Sequence, residues 1–206
     1  HLLAEHLEKE TGRVVDSAGL DSLPAGLGEV YAVNFRRAFP QGAKDPAWVV
    51  AKPLVELVAA AMQPITVDMA GALLRWDATW RNLALEATAL LFPVRDGKFH
   101  VFHKTVVDWL TGEIAEGSSL TSRSAEFRVE RIDGHAALAA GFAEWLDAGK
   151  PDASKPEQAY WLQHGVVHLC RAAQTAKATD VYASDLELLQ RRLDGGFLAC
   201  VAKDFL

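Results

Sequence analysis

Leu91-Phe92-Pro93-Val94-Arg95-Asp96-Gly97-Lys98-Phe99-His100-Val101-Phe102-His103-Lys104-Thr105-Val106-Val107-Asp108-Trp109-Leu110-Thr111 is the stretch whose reading decides the fold. Asp96-Gly97 separates two short apolar runs, and a glycine there supplies the positive φ of a tight hairpin turn. The pattern predicts paired strands over Phe92–Arg95 and Lys98–His103. From Lys104 the apolar period lengthens from two to about 3.6. Val106, Trp109 and Leu110 then share one face of a short helix, so the hairpin feeds directly into it.

Upstream, the periodicity is helical. Leu2, Leu3, His6 and Leu7 space as a helix over His1–Thr11, with Gly12 as its stop. Pro24 suits the first turn of a helix carrying Leu27, Val30, Tyr31, Phe35 and Ala38 on one stripe and ending near Phe39-Pro40. Asp45-Pro46 reads as an N-cap followed by proline at the first helical position. The helix it opens bears Val50, Leu54, Leu57, Val58 and Met62, and Pro53 inside it is expected to kink it or shift its start. Thr66 caps a second helix with Met69, Leu73 and Leu74. Asp77 caps a third, whose stripe is Trp80, Leu83, Ala84, Ala87, Leu90 and Leu91. Three helices, a hairpin and a closing helix make a winged-helix layout over residues 44–112, preceded by a helical arm over 1–43.

Downstream, Gly112–Ser124 is small and polar and reads as a loop. Phe127-Arg128-Val129 reads as extended. Asp133 is expected to cap a helix through Leu138, Phe142, Trp145 and Leu146, so residues 113–154 form a connecting loop and helix. Asp147–Pro156 has the composition of a linker. Beyond it, 155–206 reads as a helical, solenoid-like segment: Leu162, Val166, Leu169 and Ala173 make one stripe, Leu186, Leu189 and Leu193 another, and Gly195-Gly196 separates these from the C-terminal residues. The expected fold class is therefore mostly α with one small β-hairpin.

Composition narrows the function. The 206 residues are half apolar with a net charge of −6, enough to bury real cores. The 27 Asp and Glu against 21 Lys and Arg disfavour a nucleic-acid partner, since phosphate binding draws on surplus cations. No uninterrupted apolar run reaches the ~18 residues of a membrane span. His1-Leu2-Leu3-Ala4-Glu5-His6 lacks signal-peptide features. Cys170 and Cys200 are too few for a disulfide framework, which fits a reduced, cytoplasmic setting.

Leu23-Pro24-Ala25-Gly26-Leu27-Gly28-Glu29-Val30-Tyr31, Lys52-Pro53-Leu54, Met62-Gln63-Pro64-Ile65, Asp96-Gly97-Lys98 and Phe102-His103-Lys104-Thr105-Val106-Val107-Asp108-Trp109-Leu110-Thr111 resemble the region that follows the nucleotide-binding core of STAND-class signalling ATPases. The resemblance is closest to NACHT-type members that carry ankyrin, tetratricopeptide or WD40 repeats. Tyr160-Trp161-Leu162-Gln163-His164-Gly165 through His168-Leu169 resembles the helices leading into such repeats. The resemblance implies a regulatory segment that closes over an ADP-bound core. It implies partners in cis, the nucleotide-binding core and C-terminal repeats, and a homo-oligomer of the parent protein. ADP or ATP with Mg²⁺ belongs to the parent; no cofactor is expected in this fragment.

By position, His103 corresponds to the family's histidine that contacts the β-phosphate. An imidazole at a helix N-terminus suits an anion, because the free N–H groups and dipole favour negative charge there. Lys104 stands where many relatives have Asp, and its spacing allows a pair with Asp108 one turn on. Capping or packing of the last helix is the other reading of His103. No G-x-x-x-x-G-K-[ST] loop occurs, and no apolar strand ends in an acidic pair, so the fragment is not expected to hydrolyse nucleotide itself.

Other constellations read as structural. His164 and His168 have the i, i+4 spacing of metal ligands, but Cys170 falls ~200° round the helix and no Glu lies between them. His100 and His103 fall on opposite faces of a strand. The serines lack a Gly-x-Ser-x-Gly setting. Trp76 and Trp161 fall off the apolar stripes and are the tryptophans whose exposure would mark a contact surface. A DNA-binding winged helix is the rival function, weakened by Asp77 and Glu86 on its third helix and by a wing with only Arg95 and Lys98. A passive scaffold between core and repeats is the other alternative.

Overall fold

A computed structural model describes residues 26–89, 91–101, 104–113, 126–149 and 156–204. The expected helix over His1–Thr11 and most of the loop at 112–124 lie outside the described residues. So does the centre of the linker at 147–156. The helices in chain order are α1 (Leu27–Ala38), α2 (Pro46–Ala60), α3 (Val67–Leu73), α4 (Ala78–Thr88), α5 (Lys104–Thr111), α6 (Arg131–Asp147), α7 (Pro156–Arg171), α8 (Thr175–Ser184), α9 (Leu186–Asp194) and α10 (Leu198–Lys203). Strands β1 (Val94–Arg95) and β2 (Lys98–Phe99) stand between α4 and α5. The protein is mostly α with one antiparallel hairpin. It divides into two compact units, one drawn from His1–Trp48 and His103–Arg128, the other from Val49–Phe102 and Val129–Leu206.

The first unit is organised by aromatic packing. Tyr31 and Phe35 on α1 meet Trp109 of α5 at ring separations of 5.8 and 5.1 Å. Phe35 also packs on Phe39, Trp48 and Phe127 at 6.1, 5.9 and 5.3 Å. These tilted and edge contacts add to the gain from burying the rings themselves. Asp45 makes the start of α2 as its pattern predicts, one carboxylate oxygen accepting the Ala47 amide at 3.0 Å and the other the Gln41 amide at 3.1 Å.

In the second unit, Pro53 neither ends α2 nor delays its start. The carbonyl it frees belongs to Val49, one turn back; both residues are exposed, so water can satisfy that oxygen. Thr66 and Asp77 cap as expected, accepting the Met69 and Trp80 amides at 3.0 and 2.9 Å. The stripe predicted for α4 is corrected: Ala84 and Thr88 are buried, while Trp80 is 49% and Leu83 37% exposed. Thr88 turns its hydroxyl back onto the Ala84 carbonyl at 2.7 Å, and small Ala84 sets the face that can approach the core.

The hairpin turns through Asp96 and Gly97 at φ of 50° and 70°, two successive left-handed residues matched to the strand twist. Val94 pairs with Phe99 and Arg95 with Lys98. The strands are shorter than predicted. One further bond, His100 amide to Pro93 carbonyl at 3.0 Å, closes the ladder, and Pro93 has no N–H with which to return it. The other edge of β2 is paired as well: Phe99 donates to Ile65 O and Val67 to Gly97 O, each at 2.9 Å, with Thr66 bridged antiparallel to Lys98. Ile65 and Thr66 thus add a third extended segment beside β2.

Helices α6 and α7 pack along one another, and α7 also meets α8, α9 and α10. Glycines set the closest approaches. A Cβ at Gly134 would lie 2.1 Å from the Glu56 carbonyl oxygen, and one at Gly165 2.2 Å from the Phe142 ring. Three expectations are corrected here. Helix α6 starts at Arg131, leaving Asp133 in its first turn instead of at its cap. On α9 the buried positions are Leu188 and Arg192, whereas Leu186 and Leu193 are 74% and 48% exposed. Ala173, expected on the α7 stripe, lies past the helix end at φ 58°.

Candidate functional site

Of the two residues carried over by resemblance, His103 lies outside the described residues, and Lys104 is the exposed first residue of α5. The rest of this turn is held firmly. Thr105 Oγ1 is 2.5 Å from the Tyr31 hydroxyl, and Val106, Trp109 and Leu110 are buried as their spacing predicts. Burial pushes the Tyr31 phenol above its ordinary range against the opposing effect of the Thr105 contact, so it stays neutral. The result is an α-helical N-terminus with a cation exposed in its first turn on an anchored base. Such a terminus suits an anion.

In the second unit a shallow cleft of about 300 Å³ runs beside the hairpin, bordered by Met62, Gln63, Pro64, Phe99 and His100. Its backbone rim is tied inward, the Met62 amide donating to the Tyr160 hydroxyl at 3.3 Å. Tyr160 Oη lies 2.8 Å from His168 Nε2, and His168 Nδ1 lies 2.8 Å from His135 Nδ1. Tyr160 Oη accepts from Met62 and also contacts His168 Nε2, so each His168 nitrogen is engaged whichever of them carries the ring proton. Both His168 nitrogens are thereby occupied and its ring is fully buried, which leaves no lone pair for a metal. Among the described residues, no group of three or more His, Cys, Asp or Glu could hold a metal ion.

Burial keeps these rings neutral. It lowers His135 and His164 to about 4, with the Arg171 and Arg131 charges helping at His135 and the Asp204 carboxylate opposing at His164. His168, further disfavoured by His135, His164 and Arg171, falls to about 2. Nearby, Arg192 and Asp204 form a buried ion pair at 2.6 Å, with Tyr182 bonded to both. The geometry of this interior is that of a polar frame of buried side chains.

Sequence reasoning noted His168 and passed over His135, which lies 33 residues earlier with no local signal linking them. Arg192 is likewise invisible as a core residue, since a cation in the last turn of a helix ordinarily faces water. Comparison of the chain with known families, with characterised proteins and with solved structures finds no match. Among the described residues, no helix is long and apolar enough to cross a membrane.

Proposed function

We propose that this chain is the regulatory winged-helix and helical segment of a STAND-class signalling ATPase of NACHT type. It would hold an adjoining nucleotide-binding core closed while ADP is bound and pass the change to C-terminal repeats on exchange. The observation that carries the reading is the third extended segment: α2, Ile65-Thr66, α3, α4 and the β1-β2 hairpin follow one another in winged-helix order, with Ile65-Thr66 paired to β2. Helix α5 begins at Lys104, the residue that follows His103 in the sequence. The α6–α7 pair and the short helices after it suit the entry to a helical repeat region.

In this reading His103 and the exposed Lys104 face the β-phosphate of ADP, and the segment has no catalytic residue. His103→Ala in the intact parent protein is expected to raise the ADP dissociation rate about tenfold, the loss of one charge-assisted contact to phosphate. Stopped-flow release of a fluorescent ADP analogue measures it. An unchanged rate removes His103 from the mechanism and leaves the segment as a scaffold.

A further inference from the structure

We propose that Tyr31 governs ADP retention as a positioning residue, holding α5 in one axial register and one rotation so that its first residue, Lys104, keeps facing the phosphate. This rests on the reading of His103 and Lys104 given above, and adds to it a residue of α1. All the groups concerned belong to the first unit.

Tyr31 is only 2% exposed and meets α5 at two points one helical turn apart. Its hydroxyl is 2.5 Å from Thr105 Oγ1, and its ring lies 5.8 Å from that of Trp109. Thr105 is the second residue of α5, next to Lys104. Positions four apart stack on one face of a helix, so the two contacts mark a line along α5 and together fix its rotation. Lys104 is exposed, and its direction follows from the helix that carries it.

The aromatic cluster alone does not supply this restraint. Phe35 also packs on Trp109, at 5.1 Å, but apolar burial is non-directional and tolerates sliding. A hydrogen bond does not, because it weakens steeply outside a narrow range of distance and angle. Sliding α5 by one residue shifts Thr105 by ~1.5 Å along the axis and turns it by ~100°, enough to part the hydroxyls. The same slip carries Lys104 round by the same angle. Burial holds the Tyr31 phenol above its ordinary range, the Thr105 contact opposing and the Asp108 carboxylate reinforcing it, so the hydroxyl keeps its proton through the neutral range.

The test measures release of a fluorescent ADP analogue from the intact parent protein, with His103→Ala run alongside. Tyr31→Phe keeps the ring and removes the hydroxyl; Thr105→Val keeps the shape and removes its partner. Each is expected to speed release about fivefold, the worth of one neutral hydrogen bond, and the double variant no more than either alone, since both remove one contact. Thr105→Ser retains a hydroxyl and should release ADP nearly as slowly as the unaltered protein. Phe39→Leu is the control: its ring contacts are with Phe35, Trp48 and Phe127, so it should lower the unfolding midpoint of the first unit and leave release unchanged. Unchanged release in Tyr31→Phe, while His103→Ala speeds it, overturns the positioning role and leaves the reading of His103 standing. Additive effects of Tyr31→Phe and Thr105→Val, or equal acceleration by Phe39→Leu, overturn it as well. Unchanged release in every variant, His103→Ala included, removes both.

Discussion

The two units of this protein differ in what they enclose besides apolar side chains. The first relies on rings: Tyr31, Phe35, Phe39, Trp48, Trp109 and Phe127 are each no more than 2% exposed, and their main contacts are with one another. The second also encloses His135, His168 and the Arg192–Asp204 pair, groups that are expensive to dehydrate and must answer one another's hydrogen bonds. An aromatic core is tolerant of its surroundings and intolerant of lost volume. A polar frame has the reverse sensitivities, because its stability depends on protonation and on every partner being present.

The contrast can be broken most forcefully at Phe35. Phe35→Ala should destabilise the first unit by ~3–5 kcal/mol, the usual cost of emptying a large aromatic site, with little dependence on pH. Urea unfolding followed through Trp109 reads it directly; a loss below about 1 kcal/mol would mean that the ring cluster is not what holds this unit. His168→Leu tests the other side. It leaves the Tyr160 hydroxyl and His135 without their shared partner and should cost ~1–3 kcal/mol in the second unit, measured by hydrogen exchange of α6 and α7 amides. If exchange there is unaltered, the buried chain contributes nothing net.

Acidification sharpens the comparison without any substitution. Unfolded histidine takes up a proton near 6.5, whereas His135 and His164 resist until about 4 and His168 until about 2. Their folded-state values are depressed, so the unfolded state binds more protons over that window. The stabilisation is fully present above about 6.5 and is lost as pH falls from there toward the depressed folded-state values. Unfolding midpoints at pH 7, 6 and 5 should decline for the second unit and, in His168→Leu, decline by one histidine less. A slope as steep in the first unit would assign the effect to general acid expansion.

Much of this was legible beforehand because it is local. Asp96-Gly97 announces its turn, Thr66, Asp77 and Asp45 announce caps, and the spacing of Val30, Tyr31 and Phe35 announces a buried face. What escaped was decided by distant neighbours. Trp80 and Leu83 read as core by period, yet α4 is rotated so that Ala84 and Thr88 meet the interior. Leu186 and Leu193 lose their places to Leu188 and Arg192, whose Nη1 finds Tyr182 of α8 and Asp204 just past α10, partners distant in sequence. His103 illustrates a different boundary: its proposed role rests on a resemblance over residues 102–111, and the described geometry begins at its neighbour, Lys104.

The Met62 amide, Tyr160, His168 and His135 form one continuous row of hydrogen bonds. The backbone stretch that supplies Ile65 and Thr66 to the hairpin is therefore tied to the interiors of α6 and α7, and a displacement at one end of that row would strain the other.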